Sequence, residues 1–180
     1  MMEIEKWLND VLEKKNKRAM PIITFPAATK LNISVKKLIN DTDQQVAALK
    51  IIKEECNPLA ILGFMDLSVE AECFGAEIKV TDNEVPTVVG QLIEDEDDAQ
   101  ALKVPAVGSG RSQLYIDAIK KTKAEIKDIP ILGGCIGPFS LAGRLMDVSE
   151  AMINCYEEPE MVHIVLKKAT KFLIDYISAY

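Results

Sequence analysis

Ile131-Leu132-Gly133-Gly134-Cys135-Ile136-Gly137-Pro138-Phe139-Ser140-Leu141-Ala142-Gly143-Arg144-Leu145 is the stretch whose reading decides the fold. The apolar run Ile129 to Leu132 reads as a short buried strand. It breaks into glycines, where backbone approaches a neighbour or a ligand closely. Pro138 stops the strand, and a helical pattern begins near Phe139 to Leu141. Two readings stand side by side. One is an ordinary strand-to-helix turn. The other is a ligand-facing loop, because glycines that open a helix leave backbone N–H groups pointing outward.

Outward from this stretch, short apolar runs alternate with helical patterns. Residues 3–16 predict an amphipathic helix with Ile4, Trp7, Leu8, Val11 and Leu12 on one stripe. Met20 to Phe25 predicts a first strand, interrupted by Pro21 and closed by Pro26. Thr42 and Gln45 form a capping-box pair before a helix that ends near Cys56-Asn57-Pro58. Leu59 to Met65 is the clearest buried strand, with Asp66 directly after it. Leu67 to Phe74 predicts a helix stopped by Gly75.

Ala76 to Leu92 alternates in the β manner and predicts a hairpin inserted beside the main sheet. The acidic run Glu94 to Asp98 suits the first turn of a helix. Gly108-Ser109-Gly110-Arg111 is glycine-rich but lacks phosphate-loop spacing. Leu114 to Ile126 predicts a helix, Ser149 an N-cap for a short helix to Tyr156, and Pro159 the first turn of a last one. Strands alternating with helices imply parallel pairing through right-handed crossovers. The expected fold is α/β, a single domain over 1–180. It is of the (β/α)8 barrel type, with only the first half present and a hairpin at about 76–92. A whole barrel needs about 250 residues.

Composition narrows the functional classes. With 21 basic and 28 acidic residues the formal charge is −7, and no basic stripe suits nucleic acid. No run is apolar and long enough for a membrane, and no signal-peptide core opens the chain. Cys56, Cys73, Cys135 and Cys155 are widely spaced, as expected of reduced thiols in the cytoplasm.

Candidate chemistry gathers where strand ends meet. In α/β barrels ligands bind at the C-terminal ends of the strands. Pro26-Ala27-Ala28, Met65-Asp66 and Gly133 to Phe139 share that edge. Asp66 has two possible roles there. A partly desolvated strand-end carboxylate has a raised pKa useful in catalysis. The same side chain equally suits an N-cap for the helix that follows.

Gly137-Pro138-Phe139-Ser140-Leu141-Ala142-Gly143-Arg144-Leu145 resembles the GPFTLA-type signature of the uroporphyrinogen decarboxylase superfamily, which includes the methylcobamide:coenzyme M methyltransferases. Arg18 to Ile23, Met65 to Ala76 and Glu158 to His163 resemble it in the expected order. The resemblance implies the first half of a barrel and a catalytic role for Asp66, matching the aspartate that family decarboxylases use against pyrrole N–H groups. It implies substrate or corrinoid contacts at Ala27, Gly133, Gly134, Cys135, Gly137, Pro138, Phe139 and Arg144.

The departures point within the superfamily. Decarboxylases carry an arginine-rich RQAGRY segment after the first strand, where this chain has Pro26-Ala27-Ala28-Thr29-Lys30-Leu31. Arg144 replaces an expected tyrosine. Both favour the methyltransferase branch and a role in methanogenesis. There a methyl group passes from a corrinoid to the thiol of coenzyme M, and zinc lowers the thiol pKa. The family's His-x-Cys pair and distant Cys have no match here, and His163 reads as a helix-surface residue, so no metal ligand is expected. The implied partners are a corrinoid protein, a small thiol, and a second copy or a second half-barrel. Uroporphyrinogen decarboxylation and a non-catalytic binding or assembly module are the alternatives.

Overall fold

The computed structural model describes residues 4–180. Helix α1, Ile4–Glu13, takes up the expected first helix, whose Glu3 lies outside the described residues. Its apolar stripe stays largely open, with Ile4, Leu8 and Leu12 exposed. Ile4 and Trp7 wall a cavity of about 550 Å³ against Lys123, Ile126 and Ile129 to Leu132.

The expected strand at Met20 to Phe25 does not form, since residues 17–24 have no regular structure. Pro21 lacks the N–H that a ladder needs. The segment is tied down where Leu59 N–H donates to the Ala19 carbonyl at 2.8 Å. The Arg18 guanidinium also donates to the Asn57 and Pro58 carbonyls at 2.9 and 2.7 Å. Two short helices follow, α2 (Ala27–Leu31) and α3 (Val35–Ile39).

Helix α4, Thr42–Cys56, is capped by Asp41, whose carboxylate accepts from the N–H groups of Asp43 and Gln44 at 2.9 and 3.1 Å. The expected Thr42/Gln45 box does not form. Asp41, one residue earlier, is a stronger cap. Thr42 instead donates to the Leu114 carbonyl, and Gln45 is fully buried. The helix ends at Asn57, whose left-handed backbone (φ 43°) closes it.

Strand β1 is Ile61–Leu62, and helix α5 is Val69–Cys73. Gly75 follows at φ +100°, a conformation that favours glycine. Strands β2 (Glu77–Lys79) and β3 (Thr87–Val89) pair antiparallel, with Glu77 opposite Val89. Helix α6, Glu96–Ala101, begins in the acidic run under an Asp95 cap, and α7 is Ser112–Glu125. Strand β4, Ile131–Leu132, pairs parallel with β1, Ile61 facing Ile131. The remaining helices are α8 (Pro138–Met146), α9 (Val148–Glu157) and α10 (Pro159–Ala179). The cap of α9 is Asp147 and not Ser149. The Asp147 carboxylate accepts from the Ser149 N–H at 2.8 Å.

Among the described residues the parallel sheet therefore has two strands, β1 and β4, and not the four of the expected half barrel. Two apolar clusters hold it. One joins α3, α4 and β1 through Leu38, Leu49, Ile61 and Phe64. The other packs α10 against α8 and α5 through Phe172, Tyr176, Leu141 and Phe74. Each such large side chain stabilises the fold by roughly 1.5–3 kcal/mol on burial. Ile61 of β1 belongs to the first cluster, and Ile131 of β4 packs against it. The C-terminal ends of the β1–β4 pair, Met65-Asp66 and Gly133-Gly134, come out side by side: a Cβ built on Gly134 would lie 3.2 Å from Met65 Sδ.

Candidate functional site

Asp66 stands at the end of β1, as the sequence suggests, but its side chain is turned into the protein and is fully screened from solvent. Oδ1 accepts from the Ser68 N–H at 3.1 Å and the Ser68 hydroxyl at 2.6 Å. Oδ2 accepts from the Tyr115 hydroxyl at 2.8 Å and from Arg111 Nη1. The bond to Ser68 N–H, two residues on, is the capping role in another form. Every nitrogen of the Arg111 guanidinium donates. Nε donates to Glu72 at 2.7 Å, Nη2 to the Ser68 hydroxyl at 2.9 Å. Five side chains from the β1–α5 turn and the start of α7 form one closed network, which satisfies a buried ion pair. Burial and the Asp66 charge push the Tyr115 phenol well above its ordinary range, so it stays a neutral donor.

The strand-end loop after β4 is the open part of the site. Gly133, Gly137, Pro138 and Phe139 are exposed, while Gly134, Cys135 and Arg144 are half-buried. The Tyr180 ring covers Gly133: a Cβ there would lie 2.7 Å from its Cγ. The Tyr180 hydroxyl donates to the Gly134 carbonyl at 3.2 Å and shares a 2.8 Å hydrogen bond with Tyr176. Gly137 has open space where a side chain would go and an ordinary φ of −75°. Ala27 is the first residue of α2 and is buried in the same cluster as Phe64, so it packs and is not exposed to a ligand.

Glu70 links the two halves of the site. It lies on α5 and is 3 % exposed. Its Oε1 accepts from the Ile136 N–H at 3.0 Å, and its Oε2 has no hydrogen-bond partner among the described residues. Burial, reinforced by the Asp66 charge, pushes this carboxyl up to about 7, against the Ile136 hydrogen bond and the Arg111 charge, which lower it. In the sequence Glu70, Tyr115 and Tyr180 stand in no chemical motif, and Arg111 only in a glycine-rich run without phosphate-loop spacing. A signal for Glu70 was present: it shares the helical face of Cys73 and Phe74, three and four positions on.

The sulfur and nitrogen donors do not converge. Cys56 and Cys155 are exposed, and His163 faces outward from α10. Cys73 donates to the Ser109 carbonyl, and burial pushes its thiol up to about 11. Burial likewise raises the Cys135 thiol. Both are neutral near pH 7 and poor thiolate ligands or nucleophiles. No group of three His, Cys, Asp or Glu side chains among the described residues is placed to hold a metal ion.

A family model described as Uroporphyrinogen decarboxylase (URO-D) matches residues 16–180. The methylcobamide:CoM methyltransferase MtbA of Methanosarcina acetivorans is 33% identical over 117 residues, 63% of this chain and 34% of that protein. MtbA of Methanosarcina mazei is 30% identical over the same shares. A uroporphyrinogen decarboxylase of a Hydrogenobaculum species is 25% identical over 66% of this chain and 34% of its own. The match thus spans about a third of the length of these curated relatives. A solved methyltransferase from Methanosarcina mazei has the same fold, with a TM-score of 0.84 at 21% identity over 99% of this chain and 56% of that one.

Proposed function

The chain belongs to the uroporphyrinogen decarboxylase family, and from that membership we propose that it is part of a corrinoid-dependent methyltransferase. In this reading a methyl group moves from a methylated corrinoid protein to a thiol such as coenzyme M. The first relatives named above are methylcobamide:CoM methyltransferases, which supports this branch. The observation that carries the reading is the first loop. Its Ala27 and Ala28 are small, neutral and buried, and no arginine stands there to hold the carboxylates of a uroporphyrinogen.

The chain's own contribution is to shape one wall of the corrinoid-facing cleft with Gly133 to Phe139, with the Tyr180 ring packed against Gly133. Asp66 acts from behind that wall, through Ser68 and Arg111. The proposed partners are a corrinoid protein, a small thiol, and a second copy or second half-barrel against the open edge of β4. No helix among the described residues is long and apolar enough to cross a membrane, and a cytoplasmic location is part of the proposal.

Spectral titration tests it. The chain is expected to bind methylcobalamin saturably and to show no affinity for uroporphyrinogen. The reverse pattern establishes the decarboxylase reading. Binding of neither leaves an assembly module.

A further inference from the structure

We propose that Glu70 is a positioning residue for the strand-end loop, holding Ile136 through its backbone N–H and releasing it when the carboxyl ionises. The proposal rests on reading Gly133 to Phe139 as the corrinoid-facing wall. The geometry is a single side chain on α5 that reaches the loop 66 positions later, at 3.0 Å, from a place with almost no access to water. One oxygen is committed to the loop and the other has nothing to accept from. An anion accepts the Ile136 bond more strongly, but burial of its charge, with no donor on Oε2, costs more than that bond returns.

The charged or titratable groups near Glu70 are few. Asp66 and Arg111 come from the buried network. Cys73 lies on its own helix, Cys135 on the loop, and Tyr176 and Tyr180 on and after α10. Burial raises all four of the latter, so they stay neutral around pH 7. Arg111 is taken by Asp66 and Glu72. Its charge lowers the Glu70 carboxyl, but its hydrogen bonds go to those partners and none reaches Glu70.

A carboxyl held near 7 in place and near 4.5 when hydrated makes opening easier by about tenfold per pH unit between those values. The test is amide exchange at Ile136, corrected for intrinsic rate, at pH 5 and 8. Wild type is expected to lose protection roughly a hundredfold, and Glu70→Gln, uncharged and of the same shape, to keep it constant. Flat protection in wild type, or an equal fall in Glu70→Gln, overturns the proposal. Methylcobalamin affinity is followed alongside. It is expected to fall with pH in wild type only. If exchange follows pH and affinity does not, the hold of Glu70 on the loop stands and the loop leaves the corrinoid site.

Discussion

Tyr115 donates its hydroxyl to Asp66 Oδ2 at 2.8 Å, across 49 positions of sequence. The bond shows what Asp66 does in this fold. With Arg111 on the same oxygen and Ser68 on the other, every acceptor position of the carboxylate faces a protein donor. Asp66 is the centre of a buried charge network.

Asp66→Asn is therefore expected to destabilise the protein by about 3 kcal/mol, with Glu72 as the remaining counter-charge for Arg111. Urea denaturation measures it. Adding Arg111→Met should recover part of the loss, since no buried charge is then unpaired. Additive losses in the double variant would show that the two residues are not coupled.

Glu70→Gln is expected to match wild type in thermal midpoint at pH 5 and to exceed it at pH 8. The folded carboxyl is raised from 4.5 to about 7, so the folded state binds the proton more tightly than the unfolded one. The stability this gives is fully present below about 4.5 and is lost as pH rises through 7. A midpoint difference that does not change with pH between the two proteins removes Glu70 from the titration.

Gly133 and Gly137 should respond differently to the same kind of change. At Gly133 an added methyl meets the Tyr180 ring, so Gly133→Ala is expected to displace Tyr180 and cost roughly 1–3 kcal/mol, read by tyrosine fluorescence and denaturation. Gly137→Val finds open space and should keep the wild-type midpoint. If the loop is the corrinoid-facing wall, Gly137→Val also weakens methylcobalamin binding. Unchanged affinity removes the loop from the site.

The open faces carry a prediction about association. Phe139 on α8 and Val148, Met152, Ile153 and Tyr156 on α9 are exposed, Tyr156 at 92%. Strand β4 pairs with β1 on one side and borders the cavity under Trp7. Unpaired strand edges and contiguous apolar surface invite a second chain. Sedimentation velocity at low micromolar concentration is expected to show concentration-dependent association. A compact monomer across the range would refute it.

By itself the sequence determined the local elements. The strands at Ile61 and Ile131, the stop at Gly75, the Pro159 start of α10 and the exposed glycine loop follow from periodicity, glycine and proline, whose effects reach only a few residues along the chain. It also carried the family, through four motifs in order. It did not reveal that Pro21 and a lone Ala19–Leu59 bond would leave the first strand unformed, because a strand exists only when a partner completes its ladder. Tertiary structure alone decided the roles of the charged groups. Asp66 became a network centre because Arg111 arrives from 45 positions away, and Glu70 became a loop anchor because Ile136 arrives from 66. A carboxylate's role depends on which donors surround it and whether water reaches it, and both are set by packing between segments far apart in sequence.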